Sequence, residues 1–415
     1  MPTVSESLSI TETVAPGDAQ AVAAAVTDAY GRDLAIYPIG GGTSIEGGVL
    51  ALRPGMGLSL TGLDRVIDYP ARDMTITVEA GVTIARLAEQ LAAQRQWLPI
   101  DAPQPHQATI GGIVATATSG PRRYGWGTPR DYVIGISAVD GRGMPFKGGG
   151  RVVKNVAGYD FCKLLTGSHG TLGVITQVTL KVKPLPVASA FLACELRSWD
   201  DVQRLLAALV QSATTPSAIE LLTGPAWQDH SALGMSTAGA LARLVVGLEG
   251  TAGEVGWMLD RLAAEWRALG ITAAHTIDGV GAAGLWNDLG SFPHAPESPL
   301  VVKASVLPSR AVELVQLLRQ VDSDVSIQTH AGNGIVIARF SKFEPADVSR
   351  QLVGRLQPAA KLAGGQMVVL SSTVSGMTHQ AVWGGELAGA AWMSRVKQQF
   401  DPKGLLNPGR FVFAS

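Results

Sequence analysis

The sequence predicts an α+β protein in two main parts. Three observations point there. Helix-spaced and strand-spaced apolar segments alternate through the first 186 residues, a long β run at 171–186 closes on two prolines, and a strand–helix order restarts at about 187 and recurs. A chain of 415 residues has room for more than one core of ordinary domain size.

In the first part, PGDAQAVAAAVTDAYGR (16–32) carries apolar residues at helical spacing, and LAIYPIG (34–40) reads as a short buried strand ended by glycine. MTITVEAG (74–81) alternates as a strand does, and TIARLAEQLAAQRQW (83–97) reads as an amphipathic helix. DYVIGISAVDGRG (131–143) predicts a strand and then a turn on Asp140–Gly141. In the second part, strand–helix pairs are expected from AFLACELRSWDDVQRLLAALVQS, from 242–270 and from 300–320, with a further strand at 332–340. That pattern predicts helices over one mostly antiparallel sheet. The tail FDPKGLLNPGRF (400–411) carries proline and glycine turn signals.

Composition narrows the function. A net charge of -1 argues against nucleic acid as the main partner. Only 16% of residues are charged and mean hydropathy is +0.21, which fits either surface hidden in a complex or a Gly/Ala-rich chain with large cores. No apolar run reaches the roughly 20 residues that span a bilayer. The start, MPTVSESLSITETVAPGD, lacks the basic onset and apolar stretch of a signal peptide, so a cytoplasmic location is expected. Cys162 and Cys194 are too few for a four-cysteine iron–sulfur cluster, and no zinc spacing is present.

Two segments are rich in residues that leave backbone bare. In YPIGGGTSIEGG (37–48), glycines allow successive N–H groups to converge on an anion, with the Thr43 and Ser44 hydroxyls as extra donors; a surface turn is the plain alternative. No Gly-Lys-Ser/Thr follows, and the G-x-G-x-x-G spacing is absent. In 105–135, Gly111 and Gly112 precede a run of small residues that suits a large flat ligand or a tight helix–sheet contact. Arg122 and Arg123 there are candidates for phosphate or for a solvated loop.

A third segment, GGGRVVKNVAGYDFCKLLTGSHGTLGVITQVTLKVKPLP, makes the set recognisable. It resembles the vanillyl-alcohol-oxidase (PCMH-type) FAD-binding domain, in the branch of the D-2-hydroxy-acid dehydrogenases that includes the glycolate oxidase subunits. DPKGLLNPGRF is similar to the same family. The resemblance implies FAD, bound non-covalently, held by an FAD-binding domain of two α+β subdomains (1–186). An α+β cap domain follows (187–395), and a C-terminal segment (396–415) returns to the first domain. By motif position, Pro38, Ile39, Gly40, Gly41, Gly42, Thr43 and Ser44 would bind the diphosphate. Thr109, Gly111, Gly112, Thr116 and Ser119 would line the flavin and phosphates. Gly170, Gly173, Val174 and Ile175 would lie on the adenosine side, and Asn407 would return to the flavin. His106 is expected to be a structural or polar pocket residue.

Catalytic relatives of this kind carry H-x-G-D-G-N-x-H, whose histidines hold a divalent metal, and a downstream E-H-G. The matching stretch here is HAGNGIVI: His330 stands at the first histidine, Ile337 at the second, and E-H-G is absent, so no metal is expected. His330 and Arg339 remain the candidate catalytic residues. Taken with the resemblance, this predicts the FAD-binding subunit of a heteromeric glycolate oxidase. It would act on a small 2-hydroxy acid, converting glycolate to glyoxylate. Its partners would be a longer catalytic flavoprotein and an iron–sulfur subunit, which would also supply any association with the inner face of the membrane. The alternatives are a self-sufficient FAD-dependent 2-hydroxy-acid dehydrogenase and a flavin-retaining assembly subunit.

Overall fold

The computed structural model describes residues 8–45, 47, 51, 53–151, 158–385 and 389–410. Within them the chain divides into two compact units: one from 1–119, 127–185 and 385–415, the other from 120–126 and 186–384. The VVKNVA stretch at 152–157 lies outside the described residues.

The first unit holds two main sheets and a short antiparallel pair, Gln96–Trp97 with Lys183–Pro184. Ile10–Val14, Gly55–Ser59 and Ala35–Ile39 form a parallel three-stranded sheet in that spatial order. Parallel neighbours need a crossover, and the helix Ala19–Gly31 supplies one between the first and last of these strands. It starts where Asp18 accepts a hydrogen bond from the Ala21 N–H at 2.8 Å, and its buried face presents Val22, Val26 and Ala29. The second sheet is antiparallel, in the order Val66–Asp68, Thr75–Glu79, Val174–Lys181, Val133–Val139, Pro145–Gly149. Helices Ile84–Ala92 and Ile110–Thr116 pack their apolar sides on it. A further cluster joins Val22, Ile36 and Leu58 to Val139 and Val174, and includes Leu405 and Leu406 from the tail. Each such buried aliphatic side chain contributes about 1.5–3 kcal/mol, so the tail is part of this core.

The tail is also tied by polar contacts. Lys397 Nζ donates to the Thr171 and Leu406 carbonyls at 2.7 and 2.9 Å and to Asp401 Oδ2 at 2.6 Å. Asp401 in turn accepts from the Leu405 and Leu406 N–H groups.

The second unit is built on an eight-stranded sheet in the order 275–278, 188–196, 242–250, 218–223, 326–330, 335–340, 300–305, 366–372. Every pairing in it is antiparallel, as expected. One face buries Leu192, Leu221 and Leu244 with residues of helices Trp199–Gln211 and Ala252–Ala268. The latter opens with a capping box in which Thr251 and Glu254 satisfy each other's backbone N–H. The other face packs Phe191, Val245 and Ile337 against helix Gly279–Ser291.

The segment 120–126 corrects one expectation. It is not simply an exposed part of the flavin-lining run. Arg122 pairs with Glu249 at 2.9 Å and its guanidinium stands 3.8 Å from the centre of the Trp286 ring, while Trp126 Nε1 donates to Glu249 at 3.0 Å. Glu249 is 8% exposed, and a buried carboxylate needs such partners. Arg122 is therefore neither solvated nor committed to a phosphate. Among the described residues, no helix is long and apolar enough to cross a membrane.

Candidate functional site

In the first unit the strand Ala35–Ile39 ends at Gly40, where backbone runs hard against the 107–109 segment. A Cβ on Gly40 would stand 2.2 Å from Thr109 Oγ1, and one on Gly41 would stand 1.6 Å from the Gln107 carbonyl oxygen. Any side chain there would force the two segments apart. Gly42 continues in left-handed backbone, φ 78°. Thr109 caps the helix Ile110–Thr116, accepting from the Gly112 N–H at 3.3 Å. Gly111 packs onto Ala80, but Gly112 is different: a Cβ there would meet only Thr109 Oγ1, at 3.3 Å.

A cleft of about 950 Å³, its open mouth included, is lined by these residues. On its other side come His169 and Gly170, both with positive φ, and Asn407, φ 45°. Asn407 Nδ2 donates to the His169 carbonyl at 2.7 Å, which ties the tail to that turn.

All of the sequence-predicted cofactor residues line this cleft except Ser119 and Val174. Val174 is fully buried in the core with Val139 and Leu405. Successive strand residues face opposite ways, so Ile175 reaches the cleft and Val174 does not. Ser119 falls just before the segment that joins the second unit. Sequence reasoning missed His169 and Arg410, although both stand inside the quoted motifs. His106 is exposed and does not line the cleft.

The lining suits FAD. It offers bare backbone where a Cβ would clash, hydroxyls from Thr43, Ser44, Thr109 and Thr116, and apolar surface from Ile39, Leu60 and Ile175. It contains no carboxylate among the described residues, and Arg410 is its one lysine or arginine. A site with that balance accepts an anionic, partly apolar ligand.

In the second unit, the two catalytic candidates meet different fates. Arg339 donates to the carbonyls of Phe292 at 2.5 Å and His294 at 3.0 Å, and lies 4.1 Å from the centre of the Phe292 ring. It pins the exit of helix Gly279–Ser291, and its guanidinium is engaged with these carbonyls. His330 is 2% exposed. Its Nδ1 lies 2.8 and 2.9 Å from the two oxygens of Glu220, which is fully buried. Gln328 Nε2 donates to the same carboxylate at 2.9 Å. His330 Nε2 and Gln328 Oε1 are buried with no hydrogen-bond partner among the described residues. A polar atom left so typically costs about 1–3 kcal/mol.

Strand register adds a residue the sequence reading did not single out. Gln328 pairs with Ile337, and Ile337 pairs with Lys303. Directly paired residues share a face, so Lys303 stands on the face that carries Gln328, His330 and Glu220. It has no salt bridge among the described residues. Burial pushes its ammonium pKa down from the usual lysine value, and the nearby Arg123 charge adds to the shift. Ile337, at the position of the second metal histidine in the resemblance, sits in the apolar core.

Residues 11–148 match the family described as FAD binding domain, and residues 374–411 match the FAD linked oxidases, C-terminal domain. The chain is 25% identical over 421 residues to glycolate oxidase subunit GlcD of Bacillus subtilis (strain 168), covering 96% of this chain and 88% of that protein. It is 39% identical over 132 residues to glycolate oxidase subunit GlcE of Escherichia coli (strain K12), covering 32% of this chain and 38% of that one. Among solved structures, p-cresol methylhydroxylase with substrate bound superposes with a TM-score of 0.73 at 16% identity, over 96% of this chain and 88% of that chain. At that identity the likeness shows the fold. The FAD-binding match and the lining of the cleft agree that the cofactor is FAD.

Proposed function

We propose that this chain, which matches an FAD binding domain and the C-terminal domain of FAD linked oxidases, is the FAD-carrying subunit of an assembly that oxidises glycolate to glyoxylate. The cleft whose backbone is built around an anionic cofactor carries the reading. The two relatives that are glycolate oxidase subunits support it, as does a surface poor in charge. In this reading electrons leave the chain for a longer flavoprotein and an iron–sulfur partner, since the chain's two cysteines cannot hold a cluster.

A second reading is favoured by the sheet face of the other unit: a self-sufficient 2-hydroxy-acid dehydrogenase. Lys303 would bind the substrate carboxylate, and His330 Nε2 would accept the hydroxyl proton while Nδ1 donates to Glu220. That hydrogen bond fixes the tautomer, leaving Nε2 as the basic atom.

Anaerobic addition of glycolate or D-lactate to the isolated, FAD-loaded chain separates the two. Unchanged flavin absorbance, with activity restored by the partner subunits, supports the assembly reading. Rapid bleaching of the isolated chain overturns it in favour of the second.

A further inference from the structure

The cation in the cofactor cleft comes from the far end of the chain. Arg410 is 8% exposed, and its guanidinium donates to the carbonyls of Ile45 and Gly47, more than 360 residues earlier in the sequence. Its own N–H donates to the Asn407 carbonyl at 3.1 Å. The turn it occupies is held in place by the Asn407 N–H on the Ile36 carbonyl at 2.9 Å and by the Lys397 and Asp401 contacts. The guanidinium therefore reaches the glycine loop from a fixed base.

Carbonyl oxygens and an anion repel. A loop that offers N–H groups to phosphate must keep its carbonyls turned elsewhere, and glycines alone do not choose between these orientations. We propose that Arg410 is the positioning residue for the FAD diphosphate. It engages the Ile45 and Gly47 carbonyls just after the turn, so the loop presents donors to the cleft. It also places there the one lysine or arginine charge among the described lining residues, opposite the charge of the diphosphate. The proposal rests on FAD as the cofactor and is indifferent to which acid is oxidised.

The test compares wild type, Arg410→Gln and Arg410→Lys. Stripped protein is titrated with FAD, ADP and adenosine, and FAD release from the holoprotein is followed as sodium chloride is raised. Arg410→Gln is expected to weaken FAD and ADP in parallel, by roughly 10- to 100-fold. Adenosine binding stays unchanged, and the salt dependence of FAD release flattens. Arg410→Lys keeps the charge but not the two-carbonyl fork, and falls between. Amide exchange of residues 40–45 quickens in Arg410→Gln. FAD binding within threefold of wild type overturns the proposal. Equal losses for ADP and adenosine also overturn it, because the residue would then shape the adenosine wall. Should Arg410→Gln not fold, the FAD titration and salt series on Arg410→Lys decide: wild-type values in both overturn it. No readout involves an acid substrate, so failure here is distinct from failure of the bleaching test.

Discussion

The cleft of the first unit and the polar sheet face of the second are built of opposite materials. The cleft is made mostly of main chain, and its specificity lies in where side chains are missing: Gly40 against Thr109, Gly41 against Gln107 and Gly111 against Ala80. The sheet face is made of side chains, with Glu220, Gln328, His330 and Lys303 projecting from three strands. A backbone site tolerates almost no added atom. A side-chain site tolerates volume but not a lost partner.

The largest effect should come from attacking the backbone site. Gly41→Val is expected to abolish FAD retention and lower the yield of folded protein, because its Cβ has no room beside the Gln107 carbonyl. Gly112→Val is expected to lose FAD while the stripped protein melts within about 3 °C of wild type, since its added atoms enter the cleft and not the packing. The flavin-to-protein absorbance ratio and thermal melts separate the two. Equal melting losses in both would erase the distinction between loop packing and cofactor contact.

An intermediate effect is expected on the sheet face, where stability and function should part. Glu220→Ala strips His330 and Gln328 of their shared acceptor and should cost about 3 kcal/mol in chemical denaturation. Lys303→Met removes a desolvated cation and should leave stability unchanged or raise it by about 1 kcal/mol. If the isolated chain turns over substrate, the same change should raise KM at least tenfold with FAD content unaltered. A loss of stability in Lys303→Met would mean that the lysine has a structural partner and is no ligand site.

The smallest effect concerns the thiols, which belong to neither site. Burial raises Cys162 to about 11 and Cys194 to about 12. A raised thiol pKa leaves the neutral, unreactive form at pH 8. Iodoacetamide should therefore label neither cysteine in the native protein and both in urea, as read by mass spectrometry. Native labelling of Cys162 would show that its strand–helix corner opens.

The same contrast explains what could be read from sequence. The cleft was legible because glycines and small residues cluster along the chain, so most of its lining is announced within three short segments. Val174 and Ile175 part company because strand alternation inside GTLGVIT turns neighbours to opposite faces, which proximity in sequence does not reveal. The partners of Arg339, the carbonyls of Phe292 and His294, lie more than 40 residues away and leave no mark in the sequence around it. Glu220 and His330 meet across 110 residues, a pairing set by strand order alone. A signal did exist: Glu220 in SAIELLT and Lys303 in LVVKASV are single charges inside otherwise apolar strands, which fold poorly unless something meets the charge.

The bond from Arg410 to the glycine loop also orders events in time. Ile45 leaves the ribosome early, whereas its guanidinium partner is made 365 residues later. Leu405 and Leu406, which complete the core beneath the 35–39 strand, are also late arrivals. During most of its synthesis the nascent chain thus exposes an unfinished cofactor grip beside an open core. The grip on the cofactor is therefore complete only once the last few residues of the described chain are in place.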